Sequence, residues 1–454
     1  MSPSPRTGPP VYKFGGSSLA DPSSIVGVAA LVADSSRPPV VVVSAVGDTT
    51  DQLAALLDGS PGTRGELLHR ILVAHGELLR GLGADEALEA EFVRRGRDAR
   101  IGLEELLDPR TSARGRDRVL SLGEDLSTLA VTGALRARGV AARPVDARTV
   151  IRTDHAFGQA SPAEAAVRDL AASHLLPLLA QGIVPVIQGF VGAAADGSTT
   201  TLGRGGSDLT ATLLGAAVDA EEVHIWTDVE GVLSADPRVV DEPRVLDVVG
   251  FEEAVELAYF GARVLHPGAA KLAVARGVPV RIRSTFRPER SGTLILRDRW
   301  GGPGIAAVAS KPGVSLIKVR ARPSSLPYGF LARVFEILAR NRLAVDLVAT
   351  SHTSTAFTVD GAEDIESVAL ELREVADVGV RTGLATVTVV GNGLLREPGF
   401  DARVFGAVDQ TPIHLVSQAS DVSLSLVVDG DEAEALVRRL HGALVAPPVE
   451  ASPG

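Results

Sequence analysis

The segment Thr199–Asp208, Thr-Thr-Thr-Leu-Gly-Arg-Gly-Gly-Ser-Asp, lies between two apolar runs. The run before it, residues 182–190, has the character of a strand, and residues 209–217 have the composition of a helix. Glycines let a backbone turn sharply and approach a ligand closely. The first turn of the following helix offers free N–H groups to an anion. The segment therefore predicts an anion-binding loop, although a helix N-cap at Ser207 or Asp208 would also fit.

Two charged side chains in this loop suit the same kind of ligand. The planar guanidinium of Arg204 matches a carboxylate or a phosphate. Asp208 is available to orient a metal or a lysine.

Further polar segments follow other strand-like runs. Lys13 lies in a short strand before a Gly-Gly turn, Ser44 follows the apolar run 39–43, and Asp228 ends the run 222–228. Alternating strands and helices predict an α/β fold with a mainly parallel sheet covered on both faces. Such sheets bind ligands beyond the carboxyl ends of their strands. These loops and the one carrying Arg204 are therefore expected to converge on one site.

Lysine is rare in a chain that otherwise uses arginine. The only lysines are Lys13, Lys271, Lys311 and Lys318. A lysine kept at position 13, beside the glycines, indicates a need for a compact ammonium group. The spacing is not that of a Walker A loop, and a solvated strand lysine is the alternative.

Composition excludes several classes of function. The net charge of −11 gives no basic footprint, so nucleic acid is not an expected partner. The absence of cysteine rules out thiolate metal sites and cysteine nucleophiles, and no metal site is predicted. Residues 1–10 lack an apolar signal region and are predicted to be a disordered tail. No apolar run is long enough to span a bilayer, and a cytoplasmic location is expected.

The pattern changes after the linker-like segment Trp300–Gly304. Two similar β-α-β-β units follow, the first over about residues 316–359 and the second over about 385–444. Internal duplication of a small α+β unit indicates paired modules.

Several motifs occur together in one order, and together they resemble the aspartate kinases of the amino-acid kinase family. They are Lys13-Phe-Gly-Gly-Ser17, Gly189-Phe-Val-Gly192, Thr199–Asp208, Trp226-Thr-Asp228, Asp236-Pro-Arg238 and Phe260-Gly-Ala-Arg-Val-Leu-His-Pro267. The resemblance covers nearly the whole chain from Val11. It implies an amino-acid kinase fold followed by two α+β ACT domains. The implied reaction transfers the γ-phosphoryl group of MgATP to the side-chain carboxylate of L-aspartate, so Mg²⁺ would accompany ATP.

The resemblance also implies roles for individual residues. Lys13 and Asp208 would be catalytic, with Lys13 on the transferred phosphate and Asp208 holding it. Arg204 would pair with the α-carboxylate of aspartate and Glu124 with its α-ammonium. The rest of the aspartate site would comprise Ser44, Thr50, Phe190, Gly205, Gly206 and Ser207. The nucleotide would contact Lys13, Gly15, Gly16, Ser17, Thr227, Asp228, Leu233, Arg238 and Arg263.

Two positions near the implied nucleotide site depart from many relatives, which carry tyrosine at Leu233 and lysine at Arg263. Arg263 keeps the charge, whereas Leu233 removes a ring. In the first ACT domain, Asp346 and Ser351 match the lysine-inhibited relatives, but His352 replaces a glutamate. We predict an effector pocket near these three residues in a homodimer formed through the ACT domains, with weak or absent inhibition by lysine.

The implied domains are a tail (1–10), a catalytic domain (11–299), a linker with the first ACT domain (300–384), a second ACT domain (385–446) and a tail (447–454). Residues 305–309 are expected to be a strand of the second ACT domain, with the first inserted after it. Alternatives are a kinase acting on glutamate or a carbamate, and a non-catalytic amino-acid sensor.

Overall fold

The structure is a computed structural model that describes residues 6–260, 265–297, 304–322, 329–361 and 365–445. The chain forms two compact units. The first comprises Met1–Val232, Asp247–Phe251 and Val264–Asp298, and the second comprises Leu233–Leu246, Glu252–Arg263 and Arg299–Gly454.

The first unit is built on one large sheet. Its strands are β1 (Val11–Phe14), β2 (Val40–Val43), β3 (Ala142–Val145), β4 (Val184–Gln188), β7 (Val223–Thr227), β8 (Val248–Gly250), β9 (Val280–Ser284) and β10 (Thr293–Leu296). Strands β5 (Val191–Ala193) and β6 (Thr199–Thr201) form a separate hairpin. The eight strands follow the order β3-β4-β2-β1-β7-β9-β10-β8, and only the β9–β10 pair is antiparallel. The predicted mainly parallel sheet is confirmed.

Helices connect these strands. They are α1 (Pro22–Ala33), α2 (Thr49–Asp58), α3 (Pro61–Gly81), α4 (Glu86–Glu105), α5 (Ser112–Leu120), α6 (Leu122–Ala137), α7 (Glu164–His174), α8 (Leu176–Ala180), α9 (Gly206–Ala217) and α11 (Pro267–Arg276), with short 3-10 turns at Ser17–Leu19 and Ala147–Thr149. Helix α1 begins where the sequence predicts, because Pro22 occupies the first turn and Asp21 accepts a hydrogen bond from the Ser24 N–H at 2.8 Å.

The central strands explain where the core lies. All four valines of β2 are buried, as expected for a strand covered on both faces. In β1, Tyr12 and Phe14 pack into the core cluster that contains Val28 of α1 and Leu129 of α6. Side chains alternate along a strand, so Lys13 faces the opposite side of the sheet.

Two local features differ from the sequence prediction. Thr199–Thr201 is not part of the glycine loop but a strand, β6, that pairs with β5. Threonines favour strands, and the glycines only begin at Gly203. Paired structure also begins before Val11, because Gly8 forms a parallel bridge with Ala220.

The second unit contains a six-stranded sheet. Its elements are α10 (Phe251–Phe260), β11 (Gly304–Ala321), α12 (Phe330–Arg340), β12 (Val348–Thr350), β13 (Ser354–Asp360), α13 (Ile365–Val375), β14 (Ala376–Asn392), α14 (Phe400–Val408), β15 (Leu415–Ser417), β16 (Ser423–Asp429) and α15 (Ala433–Leu444), with a 3-10 turn at Leu394–Arg396. The strand order is β12-β13-β11-β14-β16-β15. The two long strands β11 and β14 lie at the centre and serve both predicted modules, so the modules form one continuous sheet.

Each module has its own core. Helices α12 and α13 pack on Ile317 and Phe357, whereas α14 and α15 pack on Val387 and Leu426. The early part of β11 belongs with the second core, since Val308 lies in that cluster and pairs with Val389. This pairing supports the predicted place of residues 305–309 in the second module.

The second unit also takes in segments from before the linker. Ala235 is buried in the same core as α14 and α15, and the Val308 N–H donates to the Ser234 carbonyl at 2.8 Å. The domain boundaries at 299 and 384 remain predictions, as does the C-terminal tail over residues 447–454. Residues 446–454 and 1–5 lie outside the described part of the chain. Within that part, no helix combines the length and apolarity that crossing a membrane requires.

Candidate active site

Four neighbouring parallel strands, β4, β2, β1 and β7, end at the same edge of the large sheet. Their hydrogen bonds continue into the loops beyond. The Gly15 N–H donates to the Trp226 carbonyl at 3.3 Å, and the Ser44 N–H donates to the Phe14 carbonyl at 3.0 Å. The loops that carry the predicted site residues are thus held side by side, as the topology rule for parallel sheets predicts.

Lys13 and Asp208 form the central pair of this edge. The Lys13 ammonium lies 2.7 Å from a carboxylate oxygen of Asp208, with the two side chains 13% and 15% exposed. Lys13 comes from β1 and Asp208 from the first turn of α9, so the ion pair joins the strand to the glycine loop. The ammonium faces Gly15, where an added Cβ would lie 3.6 Å away.

The glycine loop ends in a tight turn before α9. Gly205 has a φ of +73°, in the left-handed region, and the Gly206 N–H donates to the Gly203 carbonyl at 3.0 Å. An added Cβ at Gly205 would stand 2.1 Å from Cγ of His266, whose ring therefore covers this glycine. His266 lies in the Leu-His-Pro part of a motif quoted above, but its place over Gly205 is visible only in the structure.

The end of β4 packs against the same loop. Phe190 has a φ of +66°, and its N–H donates to the Thr210 hydroxyl of α9 at 3.1 Å. An added Cβ at Gly189 would lie 2.6 Å from the Ser207 hydroxyl. A non-glycine residue in the left-handed region is strained, and such strain is concentrated at functional sites.

Glu124 is the most perturbed carboxyl group of this edge. Its side chain is buried in the first turn of α6, where one oxygen accepts from the Ala45 N–H at 3.2 Å and the other has no partner among the described residues. Burial raises the pKa of Glu124 to about 8, against the opposing effects of the Ala45 hydrogen bond and the Lys13 charge. The unpartnered oxygen suits a positively charged group of a ligand.

Two residues outside the sequence prediction hold the hairpin that leads into the loop. Asp117 accepts from the Thr201 N–H at 2.8 Å, the Thr201 hydroxyl at 3.0 Å and the Gly158 N–H at 2.9 Å. Arg148 donates to the Thr199 hydroxyl at 2.9 Å and pairs with Asp125. Asp117 is buried and Arg148 is half-buried, and both bond to residues far away in the sequence, for which the sequence contains no local signal.

The remaining predicted residues of the first unit lie at the rim. Thr50, Ser17, Asp228 and Arg204 are exposed, and Ser44 and Thr227 are half-buried. Arg204 makes no ion pair or side-chain hydrogen bond with any described residue, which leaves its guanidinium available.

Three predicted nucleotide contacts do not belong to the described residues of the first unit. Leu233, which forms a bridge with Val245, and Arg238, which pairs with Asp236 at 2.6 Å, lie in the second compact unit. Arg263 lies outside the described residues. Their roles remain predictions.

The predicted control residues occupy one end of the first module. Asp346 accepts a hydrogen bond from the Tyr259 hydroxyl and pairs with the Lys311 ammonium at 2.9 Å. Ser351 and Ser354 close a tight turn through a backbone hydrogen bond of 2.7 Å. His352 in that turn is exposed and has no hydrogen-bond or ion-pair partner among the described residues. Within residues 329–361, Asp346 forms no hydrogen bond or ion pair with Ser351 or His352.

Comparison with known proteins gives matches to both parts of the chain. Residues 9–284 match the amino acid kinase family, and residues 387–444 match an ACT domain. The lysine-sensitive aspartokinase 3 of Escherichia coli (strain K12) is 38% identical over 444 residues, which cover 96% of this chain and 98% of that protein. The chloroplastic aspartokinase 3 of Arabidopsis thaliana is 33% identical, over 95% of this chain and 81% of that protein.

Solved structures agree. Escherichia coli aspartokinase III in complex with aspartate and ADP, in the R-state, superposes with a TM-score of 0.81 at 38% identity, over 96% of this chain and all (100%) of that one. The same enzyme with lysine and aspartate, in the T-state, gives a TM-score of 0.83 over the same shares.

Proposed function

Since the chain belongs to the aspartokinases of the amino acid kinase family, we propose that it transfers the γ-phosphoryl group of MgATP to the side-chain carboxylate of L-aspartate. The product would be 4-phospho-L-aspartate, at the start of aspartate-family amino-acid biosynthesis. The observation that carries the proposal is the partly buried ion pair of Lys13 and Asp208 at the shared edge of four parallel strands, next to a glycine loop that precedes a helix.

The chemistry needs charge placement rather than a proton acceptor. A carboxylate nucleophile is ionised at neutral pH, so no general base has to activate it. The work is to align two anions and to offset the charge that spreads over the transferring phosphoryl group. Lys13 supplies a compact positive charge, and Asp208 fixes its position. Backbone and hydroxyl donors from Gly15, Gly16 and Ser17 would hold the phosphates.

The aspartate substrate carries two further charges, and two residues match them. The guanidinium of Arg204 is exposed and suits the α-carboxylate as a planar fork. Glu124 presents a buried oxygen without a partner, which suits the α-ammonium. The close contacts of Phe190 with Gly206 and of Ser207 with Gly189 support a rigid wall for this site, with Ser44 and Thr50 completing it.

Mg²⁺ would enter with ATP and neutralise phosphate charge when bound. The described residues contain no group of three or more His, Asp or Glu able to hold a metal ion. Asp208 is already engaged by Lys13, and Glu124 is buried with a raised pKa. With Asp208 and Glu124 engaged in this way, the site fits a magnesium ion held mainly by phosphate oxygens and water. Thr227 and Asp228 would border the nucleotide, whereas contacts of Leu233, Arg238 and Arg263 with it stay predictions from the sequence.

We further propose a homodimer joined through the ACT domains, with an amino-acid effector bound there and the enzyme located in the cytoplasm. The support is the ACT match over residues 387–444 and the solved relative that holds lysine.

Acceptor specificity tests the proposed function. Release of ADP by the purified chain is measured with MgATP and aspartate, glutamate or carbamate as acceptor. The proposal requires ADP release that depends on aspartate. Equal or faster turnover with glutamate or carbamate would assign another member of the family, and no turnover with any acceptor would favour an amino-acid sensor.

A further inference from the structure

A second lysine of the chain, far in sequence from Lys13, lies against acidic and aromatic groups. Lys311, on β11, places its ammonium 2.9 Å from Asp346 and 2.6 Å from Asp360. The same nitrogen lies 4.6 Å from the centroid of the Tyr259 ring. An ammonium group has three donors, and here two carboxylates and one aromatic face receive it.

The cluster is open to solvent on one side and internally linked. The side chain of Asp346 is 5% exposed and that of Lys311 is 20% exposed, whereas the Asp360 side chain is 67% exposed and Tyr259 is 44% exposed. The second oxygen of Asp346 accepts from the Tyr259 hydroxyl, so helix α10 and the first module share this carboxylate. Without a cation, two neighbouring carboxylates and the face of an aromatic ring would repel one another, because all three carry negative charge or potential.

The choice of lysine rather than arginine fits this geometry. The sequence contains four lysines, and two of them, Lys13 and Lys311, are the ones that pair with carboxylates in the described structure. A compact point charge with donors in three directions suits acceptors on several sides, whereas a planar guanidinium suits one flat acceptor.

We propose that Asp346, Asp360 and Tyr259 form a binding cage for a primary ammonium group, and that the chain fills this cage with its own Lys311. Asp346 is also the carboxylate that an amine-bearing effector would need in the predicted control pocket. An effector such as free lysine must therefore displace an ammonium that is tethered beside the cage at high effective concentration. The consequence for feedback control rests on the proposed function, whereas the cage itself does not.

Removing the internal ligand tests the cage directly. The variant Lys311→Ala loses the side chain beyond Cβ, and n-propylammonium replaces the missing atoms. Calorimetric titration of the full-length variant with n-propylammonium chloride should show binding about tenfold tighter or more than the wild type shows. Titration with n-propanol, which is neutral, should show none.

Matched variants complete this experiment. Lys318→Ala removes an exposed lysine from the same strand and should behave as the wild type does. Adding Asp346→Asn to Lys311→Ala should abolish the gained binding. Equal binding in wild type and Lys311→Ala, or no binding in a Lys311→Ala protein with an unchanged melting temperature, would overturn the proposal.

A second measurement does not depend on how Lys311→Ala folds. Mass spectrometry follows the acylation of the four lysines in the folded wild type, where Lys311 should react at least about tenfold more slowly than Lys318. Asp346→Asn should speed the reaction of Lys311. Similar rates for Lys311 and Lys318 in the wild type would contradict the cage.

The functional consequence is measured separately. Aspartate-dependent turnover of the wild type should resist sub-millimolar lysine, and Lys311→Ala should become more sensitive to it. Strong inhibition of the wild type by lysine would contradict occupation by Lys311. A chain without turnover would refute the proposed function and leave the calorimetric result to decide on the cage.

Discussion

At the scale of single residues, Glu124 shows how a binding group lowers stability. Its buried position raises the pKa to about 8 from an ordinary value of 4.5. Between these two values the folded protein holds a proton that the unfolded chain has lost. The stability that this group contributes is therefore lost as the pH rises from 4.5 to 8. Binding sites commonly carry such a cost.

Replacing Glu124 by glutamine should remove this dependence. A shift of this size corresponds to at most about 5 kcal/mol of unfolding free energy at pH 8, at about 1.4 kcal/mol per pKa unit. We expect Glu124→Gln to gain stability relative to wild type between pH 5 and pH 8, while aspartate turnover falls. Urea unfolding at both pH values measures the difference in unfolding free energy between the variant and the wild type. Glu66→Gln, at an exposed position, is the control, and its difference from the wild type should not change with pH. If the difference between Glu124→Gln and the wild type were the same at both pH values, Glu124 would ionise at its ordinary pKa.

Arg204 is expected to act on one substrate only. The variant Arg204→Lys keeps the charge but loses the planar fork, so KM for aspartate should rise about tenfold or more while KM for ATP changes little. Steady-state kinetics with each substrate varied in turn measure the two constants, and the exposed Arg138→Lys serves as a control. Equal increases in both constants would remove Arg204 from the aspartate site.

At the scale of elements, the glycine loop depends on a close approach that side chains would block. Gly205 has a left-handed φ, and an added Cβ would stand 2.1 Å from His266. Gly182 has nearly the same φ, +75°, but nothing within 4 Å of an added Cβ. An alanine would be strained by the backbone conformation at both positions, but it would be crowded by neighbouring atoms only at Gly205.

We expect Gly205→Ala to lower kcat/KM for aspartate on the order of 10²-fold, because the loop must move to admit the methyl group. Gly182→Ala should cost only about 1 kcal/mol of stability and leave kcat/KM unchanged. Kinetics and melting curves of both variants provide the comparison. Similar kcat/KM values for the two variants would show that the approach of His266 has no part in the site.

The same loop shows what could and could not be predicted from sequence. The strand ends, the glycines and the helix start follow from local composition, so Lys13, Arg204 and Asp208 could be assigned to one sheet edge. The β5–β6 hairpin was missed because its strands are three residues long. Asp117 could not be found, since its partners Thr201 and Gly158 lie 84 and 41 residues away in the chain.

At the scale of the whole molecule, segments that are distant in the sequence share one hydrophobic core. The two C-terminal modules follow from their repeated strand and helix patterns, and residues 305–309 pair as expected. Residues 233–246, however, join the second compact unit although they precede the linker by more than fifty positions. Their apolar partners, such as Leu440 in α15, are distant in sequence, and no local pattern marks such contacts.

The central claim is that this chain phosphorylates the side-chain carboxylate of aspartate with Lys13 at the transferred group. Incubation with aspartate, MgATP and hydroxylamine traps an acyl phosphate as a hydroxamate, which is measured by its iron complex. We expect the wild type and the control Lys318→Ala, which lacks an exposed lysine, to form hydroxamate. In a folded Lys13→Ala variant, kcat should be about 10²-fold lower than in the wild type. No hydroxamate from the wild type, or near-normal kcat in Lys13→Ala, would contradict the claim.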